Sequence, residues 1–510
     1  IRSCSIEKEK KPPGLLSLKK KFSNSCEDSA ILTKSENCHH LLSFSAGPEQ
    51  WRVTSAFAPV FQQLFPQGLA PILPEARLLK QGSRKSVYLF HHASAEGGKN
   101  YYVKVYRHCG LLNRVISLLK TPRGLHEFRV GIVITARGIP AMVPCAGGAR
   151  RQCRTASESY FITEEVDQTE NLAGVLLENP SRTPFTARDR FTLVKRLGAL
   201  IRDMHEHGIF QEDLALNNFL VGIGAHNSGS LYLIDFERLS LHDTVSPVRQ
   251  EWVLSKLNRL GREVSLSQRL RFLHAFRPDL KKEEIKTLAR TIDAATTRRL
   301  QQDMLHRSAN TYTTIGYRSF NERGYQGYAC SAENLNELLE LIAQDPEAED
   351  PATKSATLRR EPDLVTLLRF PNRRDAERHW KLLWGLKTGR VPLSAPLAMI
   401  HSTNTPGASW IVLPALNDAR TLADILRTAP HAAERNILER LAAGIIQRLH
   451  QLNVSVKGLS LDAFLVTRDW RGRPCLHLAM PERLTIIHKI TDTQAHQELI
   501  AMRALFSSSP

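Results

Sequence analysis

His207-Gly208-Ile209-Phe210-Gln211-Glu212-Asp213-Leu214-Ala215-Leu216-Asn217-Asn218-Phe219-Leu220-Val221 is the stretch whose reading decides the fold. Asp213 is followed by Leu, then five residues on by Asn218, and then by an apolar strand. A second apolar strand, Leu231-Tyr232-Leu233-Ile234, ends in Asp235-Phe236-Glu237. Two carboxylates and an amide are therefore delivered at strand ends. One carboxylate can sit by a reacting hydroxyl, while an amide and a second carboxylate are hard oxygen ligands suited to Mg²⁺. Asp-Leu and Ile-Asp pairs also arise by chance, so the neighbouring segments must decide.

Working outward, Leu78 to Phe90 reads as two strands joined by a polar turn at Gly82. Tyr101-Tyr102-Val103-Lys104-Val105-Tyr106 places a lysine inside an alternating apolar strand, which is unusual unless it meets an anion. Residues 123 to 137 read as a helix carrying Glu127, followed by Gly138-Ile139-Pro140. Ser159-Tyr160-Phe161-Ile162-Thr163 is a further strand, and Glu164-Glu165 after it a hinge. A helix over 187 to 206 runs to Gly208, a plausible C-cap. Lysine strand, glutamate helix, hinge, long helix, Asp-Leu-x-x-x-Asn loop and Asp strand is the order of a kinase. In that order Gly82 would cover the nucleotide, Lys104 would bind its phosphates and Glu127 would pair with Lys104. Each signal alone has a bland alternative, such as an outward lysine on an edge strand. Their order is what carries the reading.

Composition sets the limits. The chain has 510 residues, 42% apolar content and a formal net charge of +18. The length suits several domains, and no run of 18 apolar residues suggests a membrane span. No charged-then-apolar leader is visible, so a cytoplasmic chain is expected. Eight cysteines are scattered without a Cys-x-x-Cys pair, the pattern of free thiols. The positive charge calls for an anionic partner. No zinc-finger spacing or RNP-like motif favours nucleic acid, so none is expected as a partner.

The segment from about residue 75 to 320 resembles the bacterial lipopolysaccharide kinase family within the protein-kinase-like fold, which phosphorylates heptose or Kdo sugars of the lipid A core. The resemblance rests on Lys104, Glu127-Phe128, Gly138-Ile139-Pro140, Asp213 to Asn218, Ile234-Asp235-Phe236-Glu237-Arg238 and Trp252 to Leu260. It implies a bilobal α+β fold, with a β-rich N-lobe and a helical C-lobe. It also implies an ATP- and Mg²⁺-dependent phosphotransferase. Asp213 would be the catalytic carboxylate, Asn218 and Asp235 the metal ligands, and Gly82, Lys104 and Glu127 the nucleotide-binding residues. The implied partners are ATP, the lipopolysaccharide core glycolipid and the anionic cytoplasmic face of the inner membrane. Two departures stand out. The His and Arg expected before the catalytic Asp are Gln211 and Glu212, and the Gly expected after Asp-Phe is Glu237. The missing Arg argues against control by activation-loop phosphorylation. A protein serine/threonine kinase, another small-molecule kinase and a non-catalytic scaffold are the alternatives.

A second unit follows. Shifted by 245 positions, residues 205–241 overlay 450–486 without a gap, and Ser159 to Leu176 overlays Ser409 to Leu426. Eleven of 37 aligned positions are identical, nearly all of them apolar or in Glu482-Arg483-Leu484, whereas Asp213 becomes Gly458, Asn218 becomes Ala463 and Asp235 becomes Met480. Such repetition indicates a duplicated domain whose second copy has lost its chemistry. The expected organisation is a basic flexible tail over 1–47, a kinase-like domain over 48–330 and a linker over 331–355. A smaller, degenerate pseudokinase-like domain would occupy 356–510.

Overall fold

The computed structural model describes residues 41–69, 71–82, 84–93, 98–107, 121–152, 155–177, 185–260, 264–306, 318–330, 335–343, 355–358, 365–404, 408–414, 416, 418–428, 431–456, 458, 460–469, 472–479, 484–487 and 489–508. They divide into two compact units. The first holds the residues up to Leu257 and Ser265–Ala289, and the second holds Asn258–Val264 and everything from Arg290.

The first unit opens with β1 (Leu41–Ala46), β2 (Glu49–Thr54), α1 (Ala58–Leu64), β3 (Arg77–Gln81), β4 (Lys85–His92) and β5 (Lys99–Arg107). Helix α2 (Arg123–Ala136) and strands β6 (Pro144–Gln152) and β7 (Thr155–Glu164) follow. The strands form one antiparallel sheet in the order β1-β2-β6-β7-β5-β4-β3. Alternation along β5 sends Tyr101, Val103 and Val105 into an aromatic core with Trp51, Phe57, Phe61 and Phe65. With a side-chain period of two, Lys104 must then face the opposite side. That side is covered by α2, where Gly147 of β6 leaves room for the Phe128 ring; a Cβ there would lie 2.5 Å from Phe128. The first hairpin is integral to the sheet. β2 pairs with β6 from Glu49↔Arg150 to Val53↔Ala146, and Trp51 stacks on Tyr160 at 5.2 Å over Gly148.

Beyond the hinge come β8 (Thr169–Asn171), α3 (Leu172–Leu177), α4 (Ala187–Glu206), β9 (Ile209–Gln211), β10 (Phe219–Gly222), β11 (Leu231–Leu233) and β12 (Leu239–Leu241). Helices α5 (Pro247–Leu257) and α6 (Leu266–Phe276) follow, and of α7 (Lys282–His306) only the part up to Ala289 belongs to the first unit. A capping box, Thr186 with Asp189, starts α4. Gly208 ends it at φ +68°, where a Cβ would lie 1.7 Å from the His242 carbonyl oxygen. The turn is closed by a bond from His242 N to Gly208 O at 2.8 Å. Gly208→Ala therefore combines a left-handed backbone penalty with a clash against main chain. It is expected to destabilise the protein by about 2–4 kcal/mol in denaturant unfolding. Short sheets β11-β10-β8 and β12-β9 then hold the Asp213 loop and the Asp235 segment side by side.

The second unit repeats this plan. It contains β13 (Arg318–Glu322), β14 (Tyr325–Ala329), α8 (Leu335–Ala343), β15 (Ser355–Leu358), β16 (Val365–Phe370), α9 (Arg373–Thr388), β17 (Ala398–Ser402) and β18 (Ser409–Pro414). After these come β19 (Arg420–Thr421), α10 (Leu422–Arg427), α11 (Ala432–Gln451), β20 (Val454–Ser455), β21 (Phe464–Arg468), β22 (Pro474–Leu478), β23 (Thr485–Ile486) and α12 (Asp492–Ser508). Its main sheet runs β13-β14-β17-β18-β16-β15, and its short sheets run β19-β21-β22 and β20-β23. Among the described residues its strands follow those of the first unit without a counterpart of β3, and a single helix, α12, follows β23 where α5, α6 and α7 follow β12. Even the isolated parallel bridge Ala141↔Leu233 recurs, as Leu393↔Leu478.

The expected boundaries shift accordingly. The first strand starts at Leu41, inside the stretch expected to be tail. Residues 318–330 and 335–343, assigned from sequence to the end of the kinase-like domain and to the linker, belong to the second unit, the first as strands of its sheet and the second as a helix of its core. β14 pairs with β17 from Tyr325↔Ser402 to Ala329↔Ala398. Helix α8 buries Leu335, Leu338, Leu339 and Ile342 against Leu367, Ile400 and Trp410. Backbone pairing and a shared core outweigh the composition break that suggested a linker. Residues 1–40 and 344–354 lie outside the described residues. Among those described, no helix is long and apolar enough to cross a membrane.

Candidate active site

Three elements bring Lys104, Glu127 and Asp235 together. Strand β5 projects Lys104 under α2, where its ammonium donates to Glu127 Oε2 at 2.9 Å and reaches Asp235 Oδ1 at 3.5 Å. Glu127 is fully buried and also accepts from the Tyr106 hydroxyl, two residues beyond Lys104 on the same strand face. Burial alone would lower the Lys104 pKa; Glu127 and then Asp235 outweigh it and raise it above the ordinary lysine range. For Asp235, burial acts to raise the pKa, yet Lys104 and Lys85 hold the carboxyl below its usual value. Both groups are therefore charged, a condition that buried ions meet only when paired.

The Asp235 segment is fastened from several directions. Phe236 is buried against Phe161, with ring centroids 5.8 Å apart, and a Cβ on Gly131 of α2 would lie 2.9 Å from its ring. Gln211 is buried and donates from Nε2 to the Asp235 carbonyl at 2.9 Å. This departure from the expected His thus keeps an anchoring donor. Glu237, the other departure, accepts from Lys85 at 3.1 Å and Arg123 at 3.3 Å, tying the segment to β4 and to α2. Oxygens of Glu127, Asp235 and Glu237 lie within 4.8 Å of one another. Glu127 is buried against Lys104 and Glu237 is held by two cations, whereas Asp235 is 38% exposed with the longer Lys104 contact, so Asp235 is the member of this group best placed to serve a metal.

In the loop, the Asn218 side-chain amide donates to the Asp213 carbonyl at 2.9 Å, and the Asn218 carbonyl accepts from Ile234 N at 2.9 Å. Since Phe219 pairs with Leu233, Asn218 and Asp235 flank the same end of the β10–β11 hairpin. Asp213 is 57% exposed and is flanked by Lys256 on Oδ1, at 3.1 Å, and Arg238 on Oδ2, at 3.5 Å. Gly82 lies in the β3–β4 turn, where its N–H donates to the Lys85 carbonyl at 2.9 Å. Through that turn it is Lys85, not Gly82 itself, that joins the charge cluster. Lys85, Arg123, Tyr106, Lys256 and Arg238 were not singled out from sequence. Of these only Tyr106 had a usable signal, two residues from Lys104 on the same face.

Residues 75–291 match the sequence profile of the Lipopolysaccharide kinase (Kdo/WaaP) family. This segment resembles the kinases of that family. Among curated relatives, the lipopolysaccharide core heptose(I) kinase WaaP of Escherichia coli is 25% identical over 179 residues, covering 34% of this chain and 67% of that protein. A solved structure, WaaP in complex with acyl carrier protein, aligns with TM-score 0.35 and 20% identity over 46% of this chain and 96% of that one. The match to a kinase family implies ATP as phosphoryl donor. It also fits the charged Lys104–Glu127–Asp235 arrangement, since a lysine fixed by a helical glutamate is the part of a kinase that meets phosphates.

His205, at the end of α4, is structural. It is buried, packs edge-on against Phe276, and burial pushes its pKa down to about 4. A ring kept neutral in the folded kinase but protonating near 6.5 when unfolded contributes stability that is complete above 6.5. That stability is lost as pH falls toward 4. Between pH 7 and pH 5 this share is about 2 kcal/mol. In denaturant unfolding at the two pH values, His205→Leu is expected to lose that part of the slope.

Proposed function

We propose that the first unit transfers the γ-phosphoryl group of ATP, with Mg²⁺, to a sugar hydroxyl (heptose or Kdo) of the lipopolysaccharide lipid A-core. The Lys104 ammonium shared between Glu127 and Asp235 carries the phosphoryl-transfer reading. The acceptor is drawn from the family match. Lys104, fixed by Glu127, binds the phosphates beneath the Gly82 turn. Asp213 orients the acceptor hydroxyl and takes its proton. Asn218 and Asp235 would hold the cation: an amide oxygen and an ionised carboxylate at one hairpin end are a donor set that Mg²⁺ accepts. A cation held there would supply positive charge against the phosphate oxygens. The net charge of +18 suits an anionic glycolipid at the cytoplasmic face of the inner membrane.

We further propose that the second unit is a non-catalytic copy. Phe161, which faces Lys104 across β5–β7, corresponds in the repeat to Ile411, and Ile411 faces Leu368 across β16–β18. Leu368 clusters with Trp380, Leu383 and Trp384, so an apolar core supports the absence of a phosphate-binding ion pair there. Gly458, in the place of Asp213, has φ +80°, a conformation costly for an aspartate. Met480, in the place of Asp235, lies outside the described residues.

The test is transfer of labelled phosphate from ATP to purified lipid A-core, comparing the native protein with Asp235→Asn. Label on the glycolipid that requires Asp235 supports the reading. Asp235-dependent label on protein instead would replace the acceptor, and no label on either would overturn the proposed reaction.

A further inference from the structure

The loop from Gln211 to Asn218 contains two acids and no Lys or Arg. Phosphoryl transfer spreads negative charge over the migrating group, and cations aimed at that charge supply much of the rate. Lys104 is committed to Glu127 and Asp235, while Lys85 and Arg123 are committed to Glu237. Of the two cations beside Asp213, the nearer comes from α5. Lys256 places Nζ 3.1 Å from Asp213 Oδ1 and donates to the Glu212 carbonyl at 2.7 Å. The same nitrogen lies 3.9 Å from the centroid of the Trp252 ring, one helical turn earlier. Its side chain is 16% exposed, against 55% for Arg238, which meets the other Asp213 oxygen at 3.5 Å. The two cations thus differ in kind. Arg238 is a surface ion pair, whereas Lys256 is fixed by a carbonyl, a carboxylate and an aromatic face.

We propose that Lys256 is a further catalytic residue, whose ammonium contacts the migrating phosphoryl group while it stays paired with Asp213. The proposal rests on Asp213 being the acceptor-side base. In the step, the acceptor O–H bond breaks and its proton goes to the Asp213 carboxylate. The acceptor oxygen bonds to the γ-phosphorus as the bond from that phosphorus to the β,γ-bridging oxygen breaks, its electron pair leaving with ADP. Lys256 keeps its proton throughout.

The experiment measures single-turnover transfer from ATP to purified lipid A-core, together with ATP affinity and thermal midpoint, in the full chain. For Lys256→Met the rate is expected to fall about 100-fold, with ATP affinity unchanged within about twofold and no matching loss of midpoint. Lys256→Arg should recover the rate to within about tenfold of native, because a cation is restored. Arg238→Ala removes a cation from the same carboxylate and should cost less than about fivefold. A Lys256→Met rate within about threefold of native overturns the proposal. So does a loss confined to ATP affinity or midpoint, or an equal loss in Arg238→Ala, which would mean that pairing with Asp213 alone matters. Asp213→Asn run alongside separates the two readings. If it is inactive while Lys256→Met is native, only the role of Lys256 falls; if it is fully active, the base falls and the proposal with it.

Discussion

Asp213→Asn is expected to reduce the turnover of phosphoryl transfer by about 10²–10⁴-fold while leaving the fold intact. The two halves of this expectation have separate origins. The rate loss follows from replacing a carboxylate that can accept the hydroxyl proton with an amide that cannot. The unchanged stability follows from exposure: Asp213 is more than half exposed, its pair with Arg238 lies at the surface, and the better-covered Lys256 keeps the Glu212 carbonyl and the Trp252 ring. Exposed pairs of this sort contribute about 0–1 kcal/mol. Steady-state kinetics with a thermal melt on the same sample check both halves. A large fall in midpoint would show that the loop needs the charge in order to fold.

The opposite balance holds at Glu127. Glu127→Ala leaves the Lys104 ammonium under α2 with Asp235 alone and removes the acceptor of the buried Tyr106 hydroxyl. Breaking a buried pair from one side costs about 3–5 kcal/mol, because the remaining charge is stranded out of water. For a unit of this size the midpoint should fall by roughly 10 °C. Activity should be lost as well, since the freed lysine no longer holds its place for the phosphates. Glu127→Gln separates the two effects: it keeps the shape and a hydrogen-bond acceptor for Tyr106, so it should recover part of the stability but little of the rate. Differential scanning calorimetry and the transfer assay are the measurements. An unchanged midpoint for Glu127→Ala would mean that Lys104 is solvated by some other route.

The chain announces its kinase fold through order rather than through any one motif. Lys104, Glu127 and Asp235 each have an ordinary explanation, yet their sequence of helix, strand and loop makes them converge, and in the structure they do. Lys85, Arg123 and Lys256 are not legible in the same way. They are surface-type cations whose partners lie far away in the chain, and nothing local marks a lysine that will meet a distant acid. Glu237 was visible only as a departure from Gly; its use in tying β4 and α2 to the Asp235 segment emerges in three dimensions. The repeat was legible where both copies bury the same apolar positions, around Phe219 and Phe464. It was hidden at the first hairpin of each unit, because β1 is largely exposed and so constrains its sequence weakly. That is why the sequence does not show that 318–330 and 335–343 belong with the second unit rather than with the kinase-like domain and a linker.

The hairpin β1–β2 also decides where the catalytic unit can be cut. The family match begins at residue 75, which invites a shortened protein starting there. Such a fragment would strip β6 of its hydrogen-bonded neighbour and leave an indole-sized hole above Gly148, next to Tyr160. It would also remove Phe57, Phe61 and Phe65 from the far side of the sheet that carries Lys104. The least truncation compatible with a soluble, active enzyme therefore begins at or before Leu41, and a protease should spare the hairpin for as long as the kinase can still bind nucleotide.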